Sequence, residues 1–565
     1  MKILRVNMSD LTTSFEELPE AWLCLGGRGL SAKILRAEMP PAADPLGPEA
    51  RFIVAGGPLA GTLAPSFGRL SVGAKSPLTG GIKETNAGGP AAQKLDRLGI
   101  RAMVVQGAAA RGGLYLLRID KDGARLESAE AYRGMKNYAL AEALYKTVDK
   151  GATILSVGPA GERRSKNSSV ASTDLDGYPS RHAGRGGLGA VMAAKGLKAV
   201  IIDDRQAPAI EYADRDVFRA ALKPWAEVLA ADPRIQSMSK YGTTAGILVM
   251  RKMGSAPSKN YSSEQTEGYK NLSGPAFDEA NRARGGGIHG CMPGCLVRCS
   301  VVYMDKEGKH LTSALEYETI ALLGTNLGIA DPDAVARFDR IADDLGMDTI
   351  ELGSALGVAA SAGKMTFGDV DSALALLDEV ERGTEFGRIL ADGVVATCKA
   401  LGVTRIPAFK GQAIPAHDPR ATKATGVTYA TSPMGADHTA GVSYDEPLSK
   451  TGQVRRSQRM QVWIAAIDSL GYCLLAQPGD GKALRTVIKE LIKGRYGIAF
   501  EDKDLFQIGT DTIKDELAFN KGTSFLTANE PDPEFLRTEP LAPAGHVFDV
   551  DPEEIAAIWD DLGVV

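Results

Sequence analysis

Residues 287–300 read GIHGCMPGCLVRCS. Three cysteines, Cys291, Cys295 and Cys299, fall within this stretch at the spacing C-x3-C-x3-C. Pro293 and Gly294 interrupt any helix, so a loop able to wrap a compact centre is expected. A fourth cysteine, Cys473, closes DSLGYC (468–473) far downstream. Three clustered thiolates and one remote thiolate suit a [4Fe–4S] cluster. Zinc is the alternative, because C-x2–4-C pairs with nearby histidines hold it and His289 is close. Buried free thiols are the plainest alternative. Cys24 and Cys398 stand alone in apolar surroundings and read as core residues.

The remote cysteine brings a second turn with it. DDLGMD (343–348) has the form of DSLGYC: Asp, two residues, Gly, one residue, then Asp or Cys. Each follows a partly apolar helical stretch and ends it at glycine. An ionised aspartate only accepts hydrogen bonds, so it suits the donor-rich edge of an amino-pyrimidine. One such turn is usually just a helix end; the duplication, once with a cysteine, sets these two apart.

Glycine loops and arginines supply anion sites. The groups GGRG (26–29), GG (56–57), GG (80–81), GG (88–89), GRGG (184–187) and GGG (285–287) allow close backbone approach. As a set they fit a large flat or phosphorylated cofactor, although any one of them by itself reads more readily as a tight turn between strands. Arg69 in PSFGRLSVGAKSP, and Arg181 and Arg185 in SRHAGRGGLGAVMAAKG, sit among these glycines. Guanidinium forks with backbone N–H groups bind phosphate, surface salt bridges being the alternative. Asn86, in ETNAGG, offers a carbonyl oxygen suited to Mg²⁺. Glu316 and Glu318 open the apolar helix of ALEYETIALLG, where a carboxylate either favours the helix N-terminus or is desolvated and raised in pKa. His438 lies in a loop of small residues, TSPMGADHTAG, and His417 in PAHDPR is the other histidine in enclosed-looking context.

The chain is 565 residues long, enough for two to four domains. A net charge of −5 argues against nucleic acid or an anionic membrane as partner. Six cysteines are too sparse for a disulfide scaffold. No signal-peptide pattern and no apolar run of about 18 residues is found, so a cytoplasmic location is expected. Residues 1–207 are strand-rich, with short runs such as KILRVNM, RFIVAGG, RLSVGAK, AMVVQGA, GLYLLRI, ATILSVG and KAVIID. Residues 208–410 carry apolar residues at helical spacing. Residues 411–565 mix loops with helices such as QRMQVWIAAIDSLG; the tail from Thr527 is rich in Pro, Glu and Asp and ends in a short helix. The expected fold is α+β, a strand-rich base followed by two mainly helical domains. No internal repeat is evident beyond the two Asp-turns.

Over nearly its full length the chain resembles the aldehyde ferredoxin oxidoreductase family of tungsten enzymes. The matching pieces are GGPLAGTLAPSFGRLSVGAKSPLTG (56–80), AGRGGLGAVMAAKGLKA (183–199), the cysteine cluster, EYETIALLGTNLGI (316–329), DDLGMD, DPRATKATGVTYATSPMGADH (418–438) and DSLGYC. The resemblance implies tungsten, with molybdenum as alternative, held by two pterin dithiolenes at the domain interface, the pterin phosphates sharing Mg²⁺. It places Arg69, Asn86, Arg181, Arg185 and Gly186 in the phosphate and Mg²⁺ region. It places Asp343, Gly346, Asp348, Asp468 and Gly471 in the pterin turns, and Cys291, Cys295, Cys299 and Cys473 on a [4Fe–4S] cluster. The first cysteine gap is one residue longer than the family's usual one. Arg337 also stands where some members have a glutamate ligand to a metal at a dimer interface.

The implied reaction oxidises a small aldehyde to a carboxylic acid. His438 donates to the aldehyde oxygen, Glu318 acts as general base, and electrons leave through the cluster to ferredoxin or a small iron–sulfur subunit. A homodimer or a hetero-oligomer fits this scheme. The rivals are a benzoyl-coenzyme A reductase-like catalytic subunit of the same family and a non-catalytic iron–sulfur electron-transfer protein.

Overall fold

The structure, a computed structural model, describes residues 1–262, 267–479, 481–525 and 533–562. The start of the acidic, proline-rich tail, 527–532, lies outside these residues. Twelve strands build the base: β1 (Lys2–Asn7), β2 (Thr12–Glu17), β3 (Phe52–Ala55), β4 (Leu70–Lys75), β5 (Ile82–Ala87), β6 (Ile100–Gln106), β7 (Tyr115–Asp120), β8 (Gly123–Ser128), β9 (Thr153–Ser156), β10 (Val170–Ser172), β11 (Arg181–Ala183) and β12 (Leu197–Ile202). The apolar runs of the sequence are β1, β3, β4, β6, β7, β9 and β12. The strands they miss are polar edges (β2, β8), a polar strand buried near the site (β5), or three-residue segments (β10, β11), all recruited by pairing with a neighbour.

The first sheet runs β2-β1-β6-β3-β4-β5 and the second β8-β7-β12-β9-β10-β11. Adding six to each strand number of the first gives the second. In both, one pair is parallel, β1 with β6 and β7 with β12. The other neighbours are antiparallel. Helices Gly27–Glu38 and Asn137–Leu144 precede β3 and β9, and helices Ala91–Arg97 and Leu188–Ala194 precede β6 and β12. The base is an internal duplication, a repeat that short-period inspection of the sequence does not show. Alternate residues point to opposite faces. Phe52, Val54, Met103, Val105, Val200 and Ile202 join one core shared by both sheets. Ile53, Ala55, Ala102 and Val104 face the outer core of the first sheet, and Ala199 and Ile201 that of the second. Burial on both faces explains why these strands read as continuous apolar runs.

From Arg215 onward helices dominate. One core gathers helices Tyr317–Leu323, Pro332–Leu345, Thr349–Ser361, Val370–Arg382 and Val394–Leu401 with Lys423–Thr431. Another joins Arg215–Ala231, through Phe218, Trp225 and Leu229, to Gln453–Ser469 and Gly481–Tyr496, and includes Cys291, Cys299 and Cys473. Among the described residues no helix is long and apolar enough to cross a membrane.

Each helical core meets the base at one Asp-turn. Helix Pro332–Leu345 ends at Gly346 (φ +75°), and helix Gln453–Ser469 is followed by Gly471 (φ +65°), left-handed positions that glycine takes without strain. The turns dock on Gly158 and Gly57, each two residues past the end of β9 or β3. A β-carbon on Gly158 would stand 2.3 Å from the Leu345 carbonyl oxygen, and one on Gly57 1.9 Å from that of Leu470. The N–H of Ser169 donates to Gly346 O at 2.8 Å and that of Arg69 to Gly471 O at 3.0 Å, again at matching places before β10 and β4. Any side chain at Gly57 or Gly158 must therefore push backbone aside. Gly57→Ala and Gly158→Ala are each expected to cost about 1–3 kcal/mol or more and to lower the calorimetric unfolding midpoint. Gly287→Ala, which meets nothing within 4 Å, leaves that midpoint in place.

Candidate active site and cysteine centre

Cys291, Cys295 and Cys299 lie on the loop between strands Gly287–His289 and Ser300–Met304, and Cys473 arrives on the second Asp-turn. The loop is held from the base: the Gly89 N–H donates to Cys291 O at 2.8 Å, and Gly88 leaves no room for a β-carbon beside Cys291 Sγ. The Cys473 N–H donates to Ser66 O at 2.9 Å. The thiols share one environment. Donation from Cys295, reinforced by Arg181 and Arg69, pushes Cys291 down to about 5, whereas burial pushes Cys299 and Cys473 up. Two groups of three ligand atoms lie within 4.8 Å of one another among the described residues, Glu318–His417–His438 and Asp174–Asp176–His289; no three of the cysteine sulfurs do. A zinc tetrahedron with bonds of about 2.3 Å would need that closeness. His289 is turned elsewhere, its Nδ1 3.0 Å from Asp176 and its Nε2 3.5 Å from Arg181.

The two Asp-turns present buried carboxylates to the base. Asp343 Oδ1 is 3.2 Å from His182 Nε2, and its buried Oδ2 has no hydrogen-bond partner. Asp468 Oδ2 is 3.6 Å from Arg28 NH1. Burial pushes both carboxyls well above the ordinary range. Asp348 is used differently. It caps helix Thr349–Ser361, accepting from the N–H groups of Ile350 and Glu351, and faces Arg185 Nε at 3.2 Å. Arg185 also donates to the carbonyls of Ala413 and Ala436, so it braces the base against the third part of the chain. Gly186 O accepts from Ser76 Oγ at 2.7 Å. Arg69 Nε donates to Asn86 Oδ1 at 2.8 Å. Arg181 stands 3.6 Å from Glu316, with its Nε buried and unpartnered.

Glu316 and Glu318 part company because residues two apart on a helix face different ways. Glu316 turns toward the cysteines, accepting from Thr243 Oγ1 at 2.5 Å. Glu318 turns toward two histidines. Its Oε1 lies 3.1 Å from His417 Nε2 and 3.5 Å from His438 Nε2, and its Oε2 accepts from the Ala416 N–H at 2.8 Å. Burial pushes the Glu318 carboxyl up, but His438, His417 and the Ala416 N–H outweigh it and bring it to about 2. The raised value that desolvation alone suggests for this position is thereby reversed. Burial lowers His438 despite Glu318. The His438 loop is anchored by its neighbour Asp437, whose carboxylate lies 2.5 Å from the buried Lys83 Nζ of β5.

The chain matches two family descriptions that together span most of its length. Residues 3–204 match the aldehyde ferredoxin oxidoreductase N-terminal domain, and 220–556 match its domains 2 and 3. The chain belongs to the aldehyde ferredoxin oxidoreductase family. It is 32% identical to the tungsten-containing aldehyde ferredoxin oxidoreductase of Pyrococcus abyssi over 97% of this chain and 93% of that protein. It is 28% identical to the aliphatic sulfonate oxidoreductase, WOR-like subunit, of Pyrococcus furiosus over 78% of this chain and 74% of the relative. Among solved structures, the active-site complex BamBC of benzoyl coenzyme A reductase with 1,5-dienoyl-CoA superposes at a TM-score of 0.81, with 18% identity, over 99% of this chain and 93% of that one. That likeness shows the fold.

Within this family frame the sequence left some site residues unread. His182 occupies the place in the second sheet that Asn86 holds in the first, opposite Ala171 where Asn86 is opposite Ser71. The Gly-Pro pairs 57–58 and 158–159 mark the two halves, but His182 lies 24 residues past Gly158 where Asn86 lies 29 past Gly57, so the shorter second half hides the match. Lys83 carried no signal, since a lysine in a short strand ordinarily faces water. Buried carboxyls near the base also set a pH dependence. Burial pushes Glu84, Asp339 and Glu351 each up to about 7. The folded chain then holds protons that the unfolded chain has released, so their stabilising contribution is complete below the ordinary carboxyl range and is lost as pH rises through 7. The unfolding midpoint of the cofactor-free protein is expected to fall between about pH 5 and about pH 8, as read by differential scanning fluorimetry.

Proposed function

We propose that this protein is a tungsten-pterin oxidoreductase that oxidises an aldehyde to a carboxylic acid and passes electrons through a [4Fe–4S] cluster to ferredoxin or a small iron–sulfur subunit. The observation that carries the reading is the buried carboxylate Glu318 facing His438, on a helix whose neighbouring Glu316 reaches toward the cysteines. The buried donor set fits the cofactor: Asp343 Oδ2 is an acceptor and Arg181 Nε a donor, each without a partner in the protein. Asp343, Gly346, Asp348, Asp468 and Gly471 would hold the pterins. Arg69, Asn86, Arg181, Arg185 and Gly186 would serve their phosphates and a Mg²⁺. A cation at Asn86 Oδ1 must displace Arg69 from that oxygen. Three cysteines on one loop and the remote Cys473 brought into the same core support an iron–sulfur cluster.

Tungsten, or molybdenum in its place, supplies the two-electron oxidation when bound. The chain supplies position and proton handling. His438 donates a hydrogen bond to the aldehyde oxygen and polarises the carbonyl. Glu318 Oε1, with His417 Nε2 at 3.1 Å and His438 Nε2 at 3.5 Å, would accept a further hydrogen bond from a water that adds to the carbonyl carbon. A carboxylate held this low is ionised near neutral pH, so it is available to accept the water's proton and releases it readily to solvent. The helical parts cover most of Glu318 and leave its side chain 14% exposed, a route for that proton.

Metal analysis of anaerobically purified protein tests the cofactors: about one tungsten and about four irons per chain are expected. Zinc or iron alone, from cells supplied with tungsten and molybdenum, would refute the reading. Viologen reduction with a panel of aldehydes should show turnover, and failure with every aldehyde alongside activity on a coenzyme A thioester would favour the reductase alternative. Glu318→Gln should lower kcat about 10²–10⁴-fold at unchanged tungsten content. Cys473→Ser should lose cluster iron and electron delivery to ferredoxin while tungsten is retained.

A further inference from the structure

Glu318 has a second imidazole neighbour, closer than His438 and without a part in the reaction as set out above. Ala416 and His417 are consecutive and address both carboxylate oxygens: the Ala416 N–H donates to Oε2 at 2.8 Å, and His417 Nε2 lies 3.1 Å from Oε1. This dipeptide is itself fixed. Tyr317 Oη donates to Ala416 O at 2.7 Å and Tyr429 Oη to His417 O at 3.4 Å. The His417 ring lies between those of Tyr317 and His438, each with its centroid 5.3 Å away, with Tyr444 at 5.8 Å. Asp418, next in the chain, donates its N–H to Ser255 O and pairs with the buried Arg420. A buried imidazole so enclosed has little rotamer freedom, so the contact with Oε1 is built into the fold.

We infer that His417 is a positioning residue for the proposed oxidation, setting Glu318 Oε1 between two imidazoles so that it faces the reacting aldehyde. This rests on the role given to Glu318 above. The ring nitrogen geometry separates it from a metal site. The same three ligand atoms are close enough for a divalent cation, but Nδ1 of both histidines is buried without a partner. A metal-bound histidine ordinarily donates that second nitrogen to a carboxylate or carbonyl. The lowered carboxyl of Glu318 agrees with the positioning role. The other titratable or charged groups acting on the Glu318–His438 pair are Asp437, Arg185, Tyr261, Tyr317, Tyr429 and Tyr444.

The test compares wild type, His417→Ala and His417→Gln as cofactor-loaded enzymes of matched tungsten and iron content. Alanine removes the donor. Glutamine places an amide N–H near the position of Nε2 but does not titrate. With alanine, kcat is expected to fall about 10–100-fold with KM within about threefold, and the acid limb of the kcat profile to move to higher pH. Glutamine restores most of both. Infrared titration, with the carboxyl band assigned through Glu318→Gln, should show Glu318 protonating at higher pH in the alanine variant. That readout needs no turnover, so it stands apart from a failure of the aldehyde reaction itself. An unmoved acid limb and infrared band in the alanine variant would overturn the inference, as would glutamine behaving like alanine. A stoichiometric divalent cation lost in both variants would overturn it too, making His417 a metal ligand instead.

Discussion

Two backbone carbonyls, Leu345 O and Leu470 O, rest directly on glycines of a duplicated base, and the rest of the molecule is arranged around those two contacts. At Gly158 and Gly57 the approach is closer than any side chain permits, and a left-handed glycine, Gly346 or Gly471, turns the chain at each place. The two dockings are equivalent because the sheets that offer them are equivalent, strand for strand. Each brings the end of a long helix, with a buried aspartate, onto the base. The second also delivers Cys473 to the loop that carries the other three cysteines. One local constraint, the absence of a β-carbon, thus settles the position of the carboxylate turns and of the cysteine centre together.

Buried charges fix what the glycines bring near. Arg28, on the helix packed against the first sheet, forms a two-point pair with Glu516, with Asp468 beside it. Arg185 spans Asp348 and the carbonyls of Ala413 and Ala436, and Lys83 reaches Asp437. A buried ion pair is a weak source of net stability, because desolvation consumes much of the attraction, yet breaking one is costly because a lone buried charge remains. That asymmetry makes these pairs effective locators. The loop bearing His438 is held by Lys83 from the first sheet and by Arg185 from the second, so it cannot shift relative to either half of the base without stranding a charge.

The fold was legible wherever residues bury both faces or one periodic stripe. The central strands read as apolar runs, and the long helices as apolar residues at three- and four-residue spacing. Edge and short strands escaped because pairing partners, not side chains, make them strands. The duplication escaped because its two halves share backbone geometry and a few glycine positions, while the side chains have diverged: Asn86 corresponds to His182, and Arg69 to Ser169. At the site, the cysteine spacing, the paired Asp-turns and the glutamate heading an apolar helix were all visible in the chain.

By itself the sequence determined the composition of the parts: which loop carries thiols, which turns carry aspartates, which helix begins with carboxylates. Those follow from local chemistry, since proline and glycine stop helices, glycine alone takes the left-handed turn, and apolar spacing selects a face. Only the tertiary structure decided which parts meet. Glu318 and His417 are far apart in sequence, and no local rule links them. Their meeting depends on how helix Tyr317–Leu323 and the segment before helix Lys423–Thr431 pack into one core. The ionisation of Glu318 was decided there as well, because burial raises a carboxyl and only the neighbours that packing supplies, two imidazoles and one backbone N–H, can bring it down.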